Sequence, residues 1–281
     1  AGAAAAGGGP ASLLSLQPDP HEPHAAGFEP RKGPEEGGDP WAFGRVHAAV
    51  QHVLDGTPEG DPAAVLRALS AFSDAHGLGL GLAGGHGELL GRLVRGAAEA
   101  EGRPEARGLR VLVLGAGLGQ GAVGCVPALL ALPGQAGGPH DVVSVERDEH
   151  LSSAGARLAR HAIGSAGVEY MPLMPAEDTE PAEVLESLRE GYDLEEFDIV
   201  LLDGGGNRTV QRLELDALVR GGALRRPGAV VHALGPGRGD EGTQAYLQLV
   251  RELGRGECET QVHELGGQAA VVSTFRDRGE L

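Results

Sequence analysis

The sequence predicts an α/β protein with a doubly wound, mostly parallel sheet that carries helices on both faces. Three observations indicate this class. Short apolar strand patterns alternate with amphipathic helix patterns from about residue 109 onward, and a glycine-rich turn directly follows the first strand. The chain then closes with two strand patterns separated by a pair of glycines, which is typical of an antiparallel hairpin. In sheets of this class, ligands bind beyond the carboxyl ends of the strands.

The N-terminal part divides into a segment without apolar periodicity and a helical region. Residues 1–40 hold Ala and Gly runs and scattered prolines, a composition that cannot offset the entropy of ordering, so we expect this segment to be disordered. Residues 41–281 are then expected to form the folded domain. Apolar residues recur at helical spacing around residues 46–54, 65–72 and 89–94, which predicts three helices before the first strand.

The elements of the sheet follow in order along the chain. A strand at 109–114 leads through the glycine turn into a helix that ends near residue 132. The same apolar patterns predict further strands at 142–145, 168–173, 197–202, 229–233, 261–265 and 269–275. Helical spacing predicts the connecting helices at 149–163, 181–188, 210–218 and 246–253.

Composition argues against several classes of partner. The 281 residues carry 23 Lys and Arg against 40 Asp and Glu, a net charge of −17, and no basic cluster marks a helix face. Such a chain is a poor match for nucleic acid or an anionic membrane, so the expected partner is a small molecule. No apolar run is long enough to cross a bilayer. Cys125 and Cys258 form neither a zinc nor a disulfide motif, which fits a reducing compartment, and we expect a cytoplasmic protein.

The glycine-rich turn and an acidic strand end point to a nucleoside ligand. Gly115, Gly117 and Gly119 follow the first strand, and glycine lets a backbone approach a ligand closely. Glu146 ends the next strand, where a carboxylate accepts hydrogen bonds from ribose hydroxyls. Gln120 occupies the position of the third dinucleotide glycine, which favours a methyltransferase site over a nicotinamide site. The alternatives are a turn needed only for packing and a solvated strand-end carboxylate.

From about residue 46 to about residue 275 the chain resembles the catechol O-methyltransferase family. The resemblance rests on the helical segments 50–66 and 78–87, the glycine turn, the strand 197–203 that ends in an Asp, and the strand entry 224–231. It implies a Rossmann-like methyltransferase fold with S-adenosylmethionine as the cofactor, and transfer of the methyl group to a hydroxyl of a small catechol-like acceptor. The residues that it assigns to the cofactor site are Leu80, Leu82, Gly115, Ala116, Gly117, Gly119, Gly121, Glu146, Arg147 and Asp203.

The resemblance breaks at the metal and catalytic positions. Family members hold Mg²⁺ with an Asp after one strand and an Asp-Asn pair after the next. This chain keeps only Asp203, because Leu234 and Gly235 occupy the positions of the pair, and the family's catalytic Lys corresponds to Gly206. A hard cation needs several oxygen ligands, so we expect Mg²⁺ to bind weakly at Asp203. His232 is either a substitute metal ligand or base, or a packing residue near the strand end.

These departures leave two main hypotheses for function. The first is an O-methyltransferase acting on a small catechol-like acceptor, in which the enzyme mainly aligns the nucleophile, the methyl carbon and the sulfur. The second is a protein of the same fold that binds the cofactor without turnover, which the replaced Lys and Asp-Asn pair support. A nicotinamide-dependent oxidoreductase rests on the glycines alone and is disfavoured.

Overall fold

A computed structural model shows the arrangement of the domain. It describes residues 43–78, 82, 85–100, 108–132, 139–164, 167–203, 207–235, 241–254, 258–266 and 268–276. The segment predicted to be disordered, 1–40, lies outside the described residues, and so does Leu80.

The described strands form one seven-stranded sheet. In chain order they are β1 (Arg110–Leu114), β2 (His140–Val145), β3 (Val168–Leu173), β4 (Ile199–Leu202), β5 (Val230–Gly235), β6 (Cys258–Leu265) and β7 (Gln268–Phe275). They lie in the order β3-β2-β1-β4-β5-β7-β6, and the direction of strand addition reverses between β1 and β4. Strands β1 to β5 are parallel, whereas β7 runs antiparallel to both β5 and β6. The predicted α/β class and its C-terminal antiparallel hairpin are therefore confirmed.

Helices cover both faces of this sheet. In chain order the helices are α1 (Phe43–Gly56), α2 (Pro62–His76), α3 (His86–Glu99), α4 (Gln120–Ala131), α5 (Glu149–Ile163), α6 (Pro181–Tyr192), α7 (Arg208–Arg220) and α8 (Glu241–Gly254). One core lies between the sheet and α6, α7 and α8, and a second lies between the sheet and α3 and α4. Helices α1 and α2 pack with α5 in a third. None of the described helices is long and apolar enough to cross a membrane.

The central strands are buried on both faces, as their sequences predict. All four residues of β4 are buried, and so are the last four of β1. A parallel strand between two layers of helices must be apolar on both sides, which explains the unbroken Val and Leu runs at these positions. The C-terminal ends of the parallel strands form one edge of the sheet, the carboxyl edge.

The fifth strand is longer than its sequence pattern predicts. We expected it to end at Ala233, but Leu234 and Gly235 continue the ladder by pairing with Ala270 and Ala269. The antiparallel neighbour β7 provides these extra partners, and a pattern read along one strand carries no information about them. The predicted strand end was therefore wrong by two residues, and these two occupy the positions of the family's Asp-Asn pair.

Side-chain caps of Asp148 and Asn207 start two of the helices that leave the carboxyl edge. Asp148 caps α5, because its Oδ1 accepts hydrogen bonds from His150 N and Leu151 N, both at 2.9 Å. Asn207 caps α7, where its side-chain oxygen accepts from the backbone N of the second and third helical residues, at 3.0 and 3.3 Å. Caps of this kind satisfy N–H groups that lack partners within a helix. They fix where the chain turns back after β2 and β4.

Candidate functional site

The turn between β1 and α4 uses glycine at three alternate positions. Gly115, Gly117 and Gly119 have φ angles of 70°, 52° and 77°, in the left-handed region that side chains disfavour. The N–H groups of Gly115 and Ala116 both donate to the Val145 carbonyl, at 3.0 and 3.1 Å, which fixes the turn to the end of β2. The turn therefore places the start of α4 at the carboxyl edge, together with the backbone N–H groups of its first turn.

A glycine on α5 supports this turn from behind. A Cβ on Gly155 would lie 2.9 Å from the Gly117 carbonyl oxygen, 3.2 Å from the Leu118 carbonyl carbon and 3.3 Å from the Gly119 nitrogen. Helix α5 thus lies so close to the backbone of the turn that residue 155 has no room for a side chain. The sequence analysis missed Gly155. The run of small residues at 152–156 is the signal that could have revealed it.

The Glu146 carboxylate lies beside the turn at the end of β2. Its Oε2 accepts a hydrogen bond from Gly117 N at 2.7 Å, and its Oε1 accepts from Arg147 N at 2.8 Å and Asp148 N at 3.0 Å. Hydrogen bonds to a charged acceptor are stronger than neutral ones, so they hold the carboxylate in one orientation. A carboxylate offers about four acceptor positions, so it retains capacity for a donor from a ligand. The structure thus brings together two residues that the sequence analysis assigned to one site.

Arg147 directs its guanidinium away from the turn and onto the connection between β3 and α6. Nη1 donates to the carbonyls of Ala176 and Glu177 at 3.3 and 2.6 Å, and Nη2 donates to the carbonyl of Thr179 at 2.5 Å. The predicted contact of Arg147 with a cofactor stays a prediction. What the structure adds is that this side chain holds a loop of the carboxyl edge.

Asp203 follows β4 and lies against the first turn of α4. Its N–H donates to the Leu114 carbonyl at 2.9 Å, and its Oδ2 lies 3.3 Å from where a Cβ on Gly121 would be. Part of the residue remains accessible. Burial of the carboxyl group and, to a lesser extent, the negative charge of Glu146 raise the pKa of Asp203 to about 7. Asp203 is therefore an ionisable group that exchanges a proton near neutral pH.

Of the two leucines predicted to bind the cofactor, Leu80 and Leu82, the described residues include only Leu82. Its Cδ1 lies 3.2 Å from where a Cβ on Gly124 would be, in the second turn of α4. The side chain packs on the core beneath that helix. Leu82 thus contacts the helix that the glycine turn begins.

Two side chains of α7 occupy the carboxyl ends of the strands on the other half of the sheet. Gln211 Nε2 donates to the Leu202 carbonyl at 2.9 Å and to the Leu234 carbonyl at 2.6 Å, joining β4 to β5. Arg208 Nη1 and Nη2 donate to carbonyls of β5 and β7, both at 3.2 Å. Arg208 Nη1 also donates to Gln211 Oε1 at 2.8 Å. Both side chains are buried, and the sequence analysis assigned a role to neither.

Gly235 makes room for this arrangement. A Cβ on Gly235 would lie 2.6 Å from both Cζ and Nε of Arg208. The two residues at the positions of the family's Asp-Asn pair, Leu234 and Gly235, therefore belong to the packed end of β5, and neither side chain can coordinate a cation. In the described part of the chain, no group of three or more His, Cys, Asp or Glu side chains could hold a metal ion. The described residues at these strand ends therefore do not form a Mg²⁺ site.

His232 lies within β5 and forms a buried pair with His86 at the start of α3. Their Nε2 atoms are 3.2 Å apart, and their rings stack with centroids 4.9 Å apart. Burial lowers the pKa of His86 to about 4, and burial together with the neighbouring His86 lowers the pKa of His232 to about 3. Both rings are neutral at neutral pH, so one Nε2–H donates to the other Nε2. Of the sequence-based alternatives for His232, packing is the one that this geometry supports.

The strand order, the glycine turn and the hairpin together define a Rossmann-like fold of the methyltransferase type. No family model matches the sequence, and no curated protein does. Among solved structures, the chain is similar to an O-methyltransferase from Bacillus cereus in complex with SAH, with a TM-score of 0.51 and 17% identity over 82% of this chain and 97% of that chain. It is also similar to a Klebsiella pneumoniae protein assigned as an O-methyltransferase, with a TM-score of 0.46 and 18% identity over 85% of this chain and 91% of that chain. At 17% identity, the similarity to the Bacillus cereus structure shows the fold alone.

Proposed function

We propose that the chain is an S-adenosylmethionine-dependent O-methyltransferase that acts on a hydroxyl of a small, catechol-like acceptor. The observation that carries the proposal is the 2.7 Å contact between Glu146 Oε2 and Gly117 N, which joins the end of β2 to the glycine turn. A carboxylate held there can accept a hydrogen bond from a ribose hydroxyl at its remaining acceptor position, while the turn accommodates the rest of the cofactor. The SAH-bound structural neighbour and the catechol O-methyltransferase-like sequence pattern support the same cofactor.

The proposed reaction transfers a methyl group from the sulfonium sulfur to the acceptor oxygen. The S–CH₃ bond breaks as the O–CH₃ bond forms, the hydroxyl proton is lost, and S-adenosylhomocysteine (SAH) leaves as the neutral thioether. Asp203 is the candidate to accept the proton, because a pKa of about 7 leaves much of it ionised at neutral pH. Since the described residues at the strand ends do not form a Mg²⁺ site, no step is assigned to a metal ion.

The first test is binding. Calorimetric titration with SAH should give a measurable affinity for the unmodified chain, and Glu146→Gln should weaken it by roughly 1.5–3 kcal/mol, the range for hydrogen bonds to a charged group. The matched control is Glu169→Gln, because Glu169 is an exposed carboxylate on β3. Equal SAH affinities for both variants would remove Glu146 from the site, and no binding by the unmodified chain would overturn the proposal.

The second candidate function is a cofactor-binding protein without turnover. The observation that favours it is the filled end of β5, where Arg208 and Gln211 bind strand-end carbonyls and occupy the carboxyl edge at β4 and β5. A labelled-methyl transfer assay against a panel of catechols, with and without Mg²⁺, separates the two functions. Transfer that Asp203→Asn abolishes supports the enzyme. SAH binding without transfer to any acceptor supports the second candidate.

A further inference from the structure

The guanidinium of Arg147 contacts the connection between β3 and α6 at several backbone carbonyls. The connection runs from Met174 to Glu180, and the guanidinium of Arg147 donates to three of its seven carbonyl groups, at 3.3, 2.6 and 2.5 Å. Within the connection, Thr179 N donates to the Ala176 carbonyl at 3.1 Å, which closes a turn around the guanidinium. The conformation of this loop therefore depends on Arg147.

A guanidinium suits this task because its donors form a rigid, planar fork. Nη1 reaches two carbonyls while Nη2 reaches a third, so one rotamer makes all three hydrogen bonds. A Lys ammonium has three donors on a single nitrogen and cannot span the same set of carbonyls. The contacts are exposed to solvent, so their contribution to global stability is small, but their effect on the local order of the loop is direct.

The loop borders the carboxylate that we assign to the ribose. Glu146 N donates to the Leu173 carbonyl at 3.0 Å, so the loop begins beside the residue that precedes Arg147. Met174, its first residue, is 39% exposed. A flat heterocycle can pack on an exposed apolar side chain while the backbone groups of the fixed turn that follows it hydrogen-bond the edge of the ring.

We propose that Arg147 is a positioning residue that fixes the loop 174–180 and thereby sets the selectivity for the nucleoside base. It acts through the loop backbone and does not itself contact the cofactor. The inference rests on the proposed S-adenosylmethionine site, because it concerns how that site recognises its base. It differs from the sequence-based assignment, in which Arg147 is itself a cofactor-contacting residue.

The test compares Arg147→Ala and Arg147→Lys with a matched control. Arg189→Ala is that control, because the exposed Arg189 also donates to a backbone carbonyl, that of Gly221 at 2.9 Å, but lies away from the proposed site. Two quantities are measured by calorimetry, the affinity for SAH and the affinity for S-inosylhomocysteine, in which an oxygen replaces the amino group of adenine. Amide hydrogen exchange of peptides covering 174–180 is followed in the protein without ligand.

Arg147→Ala should weaken SAH binding on the order of tenfold and bring the ratio of the two affinities close to one. The same variant should speed amide exchange across 174–180 before any ligand is added. Arg147→Lys should fall between Arg147→Ala and the unmodified chain, and Arg189→Ala should match the unmodified chain in all three measurements.

Three outcomes would overturn the inference. The first is weaker SAH binding with unchanged amide exchange, because Arg147 would then contact the cofactor directly. The second is faster exchange with an unchanged affinity ratio, because the loop would then not read the base. The third is an Arg147→Ala variant whose two affinities and amide exchange rates equal those of the unmodified chain. If the unmodified chain binds no SAH, the proposed function fails, whereas the exchange measurement still reports whether Arg147 orders the loop.

Discussion

Replacing Gly155 by Ala adds one methyl group at the point where α5 contacts the glycine turn. The new carbon would lie 2.9 Å from the Gly117 carbonyl oxygen, closer than non-bonded carbon and oxygen atoms approach. The turn cannot move aside freely, because Gly115 and Ala116 bind the Val145 carbonyl and Gly117 binds Glu146. We expect α5 and the turn to separate by several tenths of an ångström, which displaces the backbone proposed to approach the cofactor.

The expected magnitude follows from two opposing effects. Ala in place of Gly within a helix stabilises it by about 0.5–1 kcal/mol. Overpacking by one methyl group in a close contact costs about 1–3 kcal/mol. Gly96 on α3 provides the matched control, because it is exposed and a Cβ there meets nothing within 4 Å, so Gly96→Ala keeps only the favourable effect. The free energies of unfolding of the two variants should differ by about 1–3 kcal/mol, with Gly155→Ala the less stable.

Urea unfolding followed by circular dichroism measures this difference, and SAH titration measures its consequence at the site. Gly155→Ala should bind SAH at least about tenfold more weakly than Gly96→Ala. The reasoning is refuted if the two variants are equally stable. If Gly155→Ala is less stable but binds SAH with unchanged affinity, the contact between α5 and the turn is real and the turn is not part of the site.

Three further perturbations test other parts of the structure. Gly235→Ala should destabilise the fold by about 1–3 kcal/mol, and adding Arg208→Ala should cost less than the sum of the separate effects, since both act on one contact. The His86–His232 pair should lower the free energy of unfolding by up to about 1.4 kcal/mol per pH unit for each ring as pH drops from 6.5 toward 4, because the unfolded chain then binds more protons. Urea unfolding at pH 7 and 5 measures this dependence, which should be lost when Leu replaces both rings. Added Mg²⁺ should raise neither melting temperature nor turnover, and strictly Mg²⁺-dependent turnover lost in Asp203→Ala would contradict this.

Two buried carboxyl groups also change the stability over the same pH range, so their effect must be separated from that of the histidine pair. The raised pKa values of Asp203 and Glu214, both about 7, act in the opposite sense, because their neutral forms favour the folded state and that stability is lost as pH rises toward 7. The two effects oppose each other between about pH 4 and 6.5. The pH dependence of the unmodified chain is therefore shallow, and only its difference from the double variant isolates the histidine pair.

The sequence predicted those parts of the fold that local patterns encode. Apolar runs located every strand, and in the third strand, Val168–Leu173, the predicted and observed bounds agree. The glycine turn and Glu146 were recognisable because a strand end next to a glycine turn constrains residue type strongly. The end of the fifth strand was not, because its last two pairs depend on Ala269 and Ala270, far along the chain.

The residues that sequence analysis missed share a physical reason. Arg208 and Gln211 are polar side chains on an exposed-looking helix start, and their burial follows only from where α7 crosses the ends of β4, β5 and β7. His86 has a polar type, yet it is buried because its partner His232 lies on a strand far along the chain. Local periodicity treats such residues as surface, since their hydrogen-bond partners are long-range backbone and ring atoms.

The carboxyl edge is divided into two halves with different chemistry. On the side of β1 and β2 lie the positive-φ glycines and the Glu146 carboxylate, where we propose that the nucleoside binds. On the side of β4, β5 and β7, Arg208 and Gln211 bind strand-end carbonyls and fill the edge, and Gly235 is the residue that allows it. Installing oxygen ligands at 234 and 235 would place a side chain on the Arg208 guanidinium, so the metal ligands of the family cannot be restored by those two substitutions alone. Asp203 stands between the two halves, so measuring both SAH binding and methyl transfer for Asp203→Asn shows whether this carboxylate serves the cofactor, the transfer step or both.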